Sequence, residues 1–173
     1  MINKNEIHFR KANTADINII WEIIQQSIER RRIDGSAQWQ NGYPNLQTVE
    51  SDVSKGFGYV LTVNNEVAVF VALIFNDEPA YSTIEGEWLT TGEFVVVHRV
   101  AVSENFAGQG LAKKLFDYIE DFVKSQNVLS VKVDTNYDNI AMLKILESKG
   151  YSYCGEVVLA GGVRKAFEKV LII

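Results

Sequence analysis

The chain has 173 residues, the size of one domain at roughly 100–200 residues each. Apolar residues make up 47% and charged residues 23%, with two Pro and one Cys, which excludes disorder, a disulfide framework and a cysteine-based zinc site. Seventeen basic against 22 acidic residues give a net charge of -5, the wrong sign for a general binder of nucleic-acid phosphates. Residues 1–173 are therefore expected to form a single domain with neither nucleic acid nor membrane as partner. The first ten residues contain no apolar core of signal-peptide length, so a cytoplasmic location is expected. The apolar run Val67–Phe75 is too short for a membrane helix of about 20 residues and reads as a strand.

In chain order, Ile7–Arg10 alternates as a short edge strand. Thr14 reads as the N-cap of a helix with Asp16 in its first turn and Ile17, Ile20, Trp21, Ile24 and Ile28 at helical spacing. Arg30, Arg31 and Arg32 close that helix, where they complement its dipole. Asp34–Pro44 is a loop carrying Trp39 and Tyr43, and a short helix follows over Leu46–Lys55. Tyr59–Val63 and Val67–Phe75 form a hairpin around Asn64-Asn65, a pair that tolerates left-handed backbone angles. Asn76–Gly92 is a long irregular connection with Tyr81 and Trp88. Phe94–Val102 is apolar on both faces apart from His98 and Arg99, as a central strand covered on both sides would be.

After a short loop, Leu111, Ala112, Leu115, Phe116, Ile119, Phe122 and Val123 make one helical stripe. Val128–Val133 is a strand and Asn139–Lys149 a helix, closed by Gly150 in a position suited to a left-handed cap. Strands over Tyr151–Leu159 and Ala166–Ile172 turn at Gly161-Gly162. The order β-α-α-β-β-β-α-β-α-β-β describes an α/β (α+β mixed) domain, with a mixed central sheet between helices.

The stretch from Val97 to Ala112 carries the chemistry. A buried strand runs into a turn with Gly108 and Gly110 and then directly into the amphipathic helix. The first turn of a helix presents unpartnered N–H groups and the positive dipole end, and glycine lets an anion approach the backbone. This predicts a phosphate or pyrophosphate held by main-chain amides, or, on the glycines alone, only a tight turn. It is not a P-loop, since Leu111 follows Gly110, nor a dinucleotide fingerprint, since Lys113 stands where the third glycine belongs.

Asn105-Phe106-Ala107-Gly108-Gln109-Gly110 resembles the acetyl-CoA signature Gln/Arg-x-x-Gly-x-Gly/Ala of the GCN5-related N-acetyltransferase (GNAT) superfamily, departing from it at Asn105. Asn139 to Tyr151 resembles the second family block, Asn-x-x-Ala/Met-x-x-Leu-Tyr-Glu-Lys-Leu-Gly-Phe. The resemblance implies a GNAT-like domain with a mostly antiparallel sheet. It also implies acetyl-CoA as cosubstrate, with direct transfer of acetyl to an amine. Val100, Ala101 and Val102 would pair with the pantetheine arm, and the strand around Val131–Asp134 would splay from them. Amides from Ala107, Gly108, Gln109, Gly110, Leu111 and Ala112 would hold the pyrophosphate; Asn139 and Met142 would contact the pantetheine. The tyrosine with which many members protonate the leaving thiolate is replaced by Leu146, which leaves Tyr137 or solvent for that role.

His98 and Glu93 are the candidate bases, because an imidazole or carboxylate on the strand leading to the cofactor can take a proton from an ammonium group; the plainer alternatives are a packed core histidine and a surface charge. Trp39, Tyr43, Tyr81 and Trp88, with Glu78, Glu85, Glu87 and Glu93 near in sequence, are expected to form an aromatic, acidic pocket for a small cationic amine. No metal is expected, and exposed terminal strands suit a homodimer. The alternatives are a non-catalytic acyl-CoA-binding or sensor module on the same fold, motivated by Leu146, and an interaction domain without cofactor.

Overall fold

A computed structural model describes residues 5–159 and 161–173. Its elements are β1 (Ile7–Lys11), α1 (Ile17–Ile33), α2 (Leu46–Ser54), β2 (Gly58–Val63), β3 (Glu66–Phe75), β4 (Glu85–Gly86) and β5 (Val95–Val102). They continue with α3 (Leu111–Ser125), β6 (Ser130–Thr135), α4 (Ile140–Ser148), β7 (Ser152–Leu159) and β8 (Gly162–Val170). The strands make one open, mostly antiparallel sheet in the order β1-β2-β3-β5-β6-β8-β7-β4, flanked by the helices. As expected, β1 is an edge and β5 is central. The chain divides into two compact units, one reaching to Ala72 and including Arg99–Leu115, the other Leu73–His98 with Phe116–Ile173.

In the first unit, β1 lies antiparallel to β2, with Ile7 opposite Val63 and Lys11 opposite Tyr59. The β2–β3 hairpin turns on Asn64 and Asn65 at φ 50° and 68°, the left-handed pair that the sequence predicts. Ile20, Ile23 and Ile24 of α1 pack with Val49 and Val53 of α2 and with Val60, Phe70, Ala72 and Ala101. Ile17, Trp21 and Ile28, expected on the buried stripe, lie partly buried against the same core. The start of α1 differs from the expectation: Thr14 is not its cap, since Asp16 stands at the N-cap position without a side-chain cap bond and the side-chain cap belongs to Asn13. A three-ten turn, Thr14–Asp16, precedes the helix and moves the cap upstream. Asn13 Oδ1 accepts from Ala15 N at 2.9 Å, and the Asp16 carboxylate accepts from Asn13 N at 2.8 Å.

In the second unit, Val95–Val97 of β5 runs parallel to Val131–Val133 of β6. β6 pairs antiparallel with β8 from Ser130 opposite Val170 to Thr135 opposite Lys165. β8 begins at Gly162 rather than Ala166, because Arg164 and Lys165, polar as they look, pair with Val157 and Glu156 of β7. The connection 76–92 is less irregular than expected. It contains a three-ten turn at Pro79–Thr83 and the eighth strand, β4, paired with β7 at Glu156 and Gly155. Gly86 and Gly155 sit at φ 137° and 142°, and a Cβ on either would collide with the backbone of the other strand. Phe116, Ile119 and Val123 of α3 are buried, and Gly150 at φ 80° ends α4 as predicted. Among the described residues, no helix is long and apolar enough to cross a membrane, and no group of three or more His, Cys, Asp or Glu is placed to hold a metal ion.

Candidate active site

Strand alternation decides which side chains of the second unit share a face. The register sets Val96 of β5 beside Lys132 of β6, Lys132 opposite Glu168 of β8, and Asp134 opposite Ala166. His98, two residues after Val96, and Arg164, two before Ala166, belong to the same face. The segment 76–92 lies on it: Tyr81 and Trp88 pack with Val96, Val157 and Ala166. Trp88 Nε1 donates to the Tyr81 carbonyl at 2.9 Å, and the two rings stand 4.9 Å apart.

Two bonds tie this segment to the polar end of the face. Glu78 Oε2 lies 2.9 Å from His98 Nε2, with both side chains largely buried. Tyr81 Oη donates to Asp134 Oδ2 at 2.6 Å. Burial pushes the Asp134 carboxyl up from the ordinary carboxylate range, against the opposing effects of His98, the Tyr81 hydrogen bond and Arg164. Burial also holds the Tyr81 phenol well above its usual range, with Asp134 adding to it. Tyr81 thus keeps its proton and serves as a donor to Asp134. The result is a semi-buried group of one imidazole and two carboxylates, with Arg164 Nε buried beside them without a hydrogen-bond partner among the described residues.

The other end of the face fixes the rest of the segment. Glu168 is fully buried and accepts from Ser130 Oγ at 2.6 Å, Thr90 Oγ1 at 2.5 Å and Leu89 N at 2.6 Å. The Lys132 ammonium lies 4.4 Å over Trp88 and 4.2 Å over Phe94. Burial lowers the Lys132 pKa, and Glu168 offsets part of that. Cys154, next in the same cluster, is pushed up chiefly by burial, which keeps its thiol protonated and unreactive.

The first unit holds the glycine turn. Gly108 and Gly110 adopt φ 76° and 72°, and, beyond each glycine and its chain neighbours, no atom of the described residues lies within 4 Å of where a Cβ would stand on either. Their glycine character therefore answers to backbone angle and to open space in front of the turn. Lys114 N donates to Gly110 O at 3.1 Å, and the amides at the very start of a helix have no partner within it. Ala107, Gly108, Gln109 and Gly110 are exposed, Ala112 is half-buried and Leu111 buried. The turn thus fits an anionic group delivered to main-chain donors. Ala101 is buried, between half-buried Val100 and Val102.

Immediately before them Arg99 has φ 55°, a left-handed angle that costs a non-glycine residue on the order of 1–3 kcal/mol. Its guanidinium forks onto Asp52 of α2 at 2.8 and 2.6 Å and donates to Tyr43 Oη at 2.8 Å. This buried bidentate pair holds the distorted strand in place.

The remaining expected residues are dispersed. Trp39 packs partly buried on the first unit's core, with the Arg31 guanidinium 3.8 Å above its ring. Glu93 is exposed. Tyr137 is exposed and donates to Glu156, which pushes its phenol up to about 12. Against a thiol near its ordinary value of about 8.5, such a phenol is a weak proton donor. Asn139 caps α4, its Oδ1 accepting from Met142 N at 3.2 Å, and Met142 is half-buried on the first turn. Leu146 is fully buried. In the sequence Glu78 stands out only as one of four acids near the aromatics, and Asp134, Glu168 and the Arg99–Asp52 pair do not stand out as polar partners. For Glu78 a local signal exists, an acidic residue just before Pro79 at the start of a helical turn. The others depend on strand register and carry no local signal.

The sequence matches the model of the acetyltransferase (GNAT) family over residues 21–151. A GNAT-family acetyltransferase from Streptococcus agalactiae 2603 is 31% identical in sequence; the alignment covers 96% of each chain, with a TM-score of 0.87. The uncharacterized N-acetyltransferase YesJ of Bacillus subtilis (strain 168) is 27% identical over 145 residues, 81% of this chain and 78% of the relative. The protein yncA of Salmonella typhimurium, solved with its cofactor acetyl-CoA, shares the fold at 18% identity, with a TM-score of 0.64 over 96% of this chain and 94% of the other. On the extent of the family match and the likeness to these relatives, the chain belongs to the acetyltransferase (GNAT) family.

Proposed function

We propose that this enzyme transfers the acetyl group of acetyl-CoA directly to the primary amine of a small cationic acceptor, with His98 as the base. One observation carries the reading: a single strand, β5, bears His98 in contact with Glu78 and leads through Arg99 into the exposed Gly108–Gly110 turn. Amides of Ala107–Ala112 hold the pyrophosphate, the backbone of Val100–Val102 pairs with the pantetheine, and Asn139 and Met142 contact it further along. The acceptor arrives as an ammonium ion, which the carboxylates Glu78 and Asp134 favour. One N–H bond of that ammonium breaks as His98 takes the proton. The freed electron pair attacks the thioester carbonyl carbon, the C–S bond breaks, and the thiolate leaves to be protonated by solvent. The nitrogen's second proton passes to solvent as the amide forms. A backbone N–H near Val100 stabilises the oxyanion.

Of the aromatic residues expected to contact the acceptor, Trp88 and Tyr81 lie on the His98 face, which supports a role in shaping that side. Trp39 and Tyr43 line the 34–44 loop of the first unit, where Tyr43 is 46% exposed.

The phosphate assignment is tested by isothermal calorimetry with acetyl-CoA on the Gly108→Glu protein. A carboxylate at φ 76° both strains the turn and repels the pyrophosphate, so affinity is expected to fall by about 100-fold or more. Wild-type affinity in this variant would contradict the assignment.

A further inference from the structure

We propose that Glu78 is the positioning residue for His98, fixing which ring nitrogen is basic and stabilising the ring once it carries the acceptor's proton. This rests on the reading of His98 as the base. The carboxylate is held at both oxygens. Oε1 accepts from Ala80 N at 3.3 Å, making Glu78 the cap of the three-ten turn Pro79–Thr83, and Oε2 meets His98 Nε2 at 2.9 Å.

An ionised carboxylate can only accept, so Nε2 carries the hydrogen. The lone pair is then on Nδ1, and Nδ1 is the atom that takes a proton from the ammonium group. The imidazolium that results faces a carboxylate with both side chains about 15% exposed, where water screens the attraction weakly. Removing the Glu78 charge makes the protonated ring less favourable and the ring a weaker base.

The charged and titratable groups around this pair are Asp134 on β6, Arg164 on β8 and Tyr81 on the turn itself. Asp134 also interacts electrostatically with the ring, but it is hydrogen-bonded to Tyr81 and Arg164 opposes it in sign; Glu78 is the carboxylate hydrogen-bonded to His98. The turn is anchored independently by Tyr81 on Asp134 and by Trp88 on the Tyr81 carbonyl. A neutral side chain at position 78 therefore leaves the turn in place.

The chain has two histidines, so ring-labelled protein gives two sets of imidazole signals, and His8 on β1 is an internal control. NMR titration of the wild type, Glu78→Gln and Glu78→Asp is the direct test, and it needs no acceptor. The neutral His98 ring should carry its hydrogen on Nε2 in the wild type. Its titration should move to lower pH in Glu78→Gln and return toward wild type in Glu78→Asp, with His8 unmoved in both. A neutral wild-type ring protonated on Nδ1, or a His98 titration that does not move in Glu78→Gln, would overturn the proposal.

Initial rates with acetyl-CoA and a polyamine, spermidine, or the fastest amine of a panel, separate this from failure of the base assignment. His98→Gln should lose roughly 100-fold in kcat/KM together with the acidic limb of the profile. Glu78→Gln should lose roughly tenfold and keep the limb, displaced to lower pH. If Glu78→Gln instead abolishes the limb, Glu78 is itself the base and the positioning role is wrong. If His98→Gln keeps the wild-type profile, the base assignment fails and the catalytic role of Glu78 with it, even where the NMR coupling stands.

Discussion

At Asp134, burial and neighbouring charge act in opposite directions, and burial wins. The folded state therefore holds this proton more tightly than the unfolded chain does. Above the folded titration range the buried carboxylate is charged and subtracts from stability; as pH falls through that range the penalty disappears. Asp134→Asn removes the charge and still offers a carbonyl oxygen to Tyr81 Oη. Its melting temperature is expected to exceed that of the wild type above neutral pH, with the gap closing toward acid; thermal melts across pH check this, and a gap independent of pH would contradict it. His98 was legible in the sequence as a titratable residue inside an apolar strand. Its partner was not, because Glu78 lies 20 residues away and meets it only through the fold of the intervening segment. Asp134, 36 residues beyond His98, reaches the same place only through the β5–β6 register.

Whole elements were more legible than their contacts. Helices α1, α3 and α4 and strands β2, β3 and β5 follow from apolar period and from caps such as Gly150. β4 was hidden, since two residues have no period and its pairing depends on Gly86 and Gly155 meeting across chain segments far apart in sequence. The segment 76–92 read as irregular, yet it is pinned at Glu78, Tyr81, Trp88, Leu89 and Thr90. Glu168 anchors its last part and neighbours Lys132 on the adjoining strand. Glu168→Ala leaves Ser130, Thr90 and Leu89 N without their acceptor and Lys132 without its counter-charge. A loss of about 3 kcal/mol is expected. For a chain of this size it is measured as a fall of roughly 6–12 °C in Tm. An unchanged Tm would show that the segment is held by apolar packing alone.

For the whole molecule, membership of the acetyltransferase (GNAT) family turns the sequence motif at 105–110 and the block at 139–151 into parts of one recognised fold. The net charge of -5 accords with the proposed cationic acceptor, and the proposed pyrophosphate site, made of backbone amides that donate at the start of α3, needs no basic side chains. Leu146 is fully buried and offers no proton-donating group, in keeping with the proposal that solvent protonates the thiolate. The most direct test is a thiol-release assay with acetyl-CoA over polyamines, amino acids, aminoglycosides and short peptides, with mass spectrometry of each acceptor. Stoichiometric release of CoA thiol and a gain of one acetyl group on a small cationic amine are expected. Tight acetyl-CoA binding with no amine acetylated would contradict this and mark the chain as a sensor module, and acetylation confined to amino acids or peptides would contradict the acceptor class.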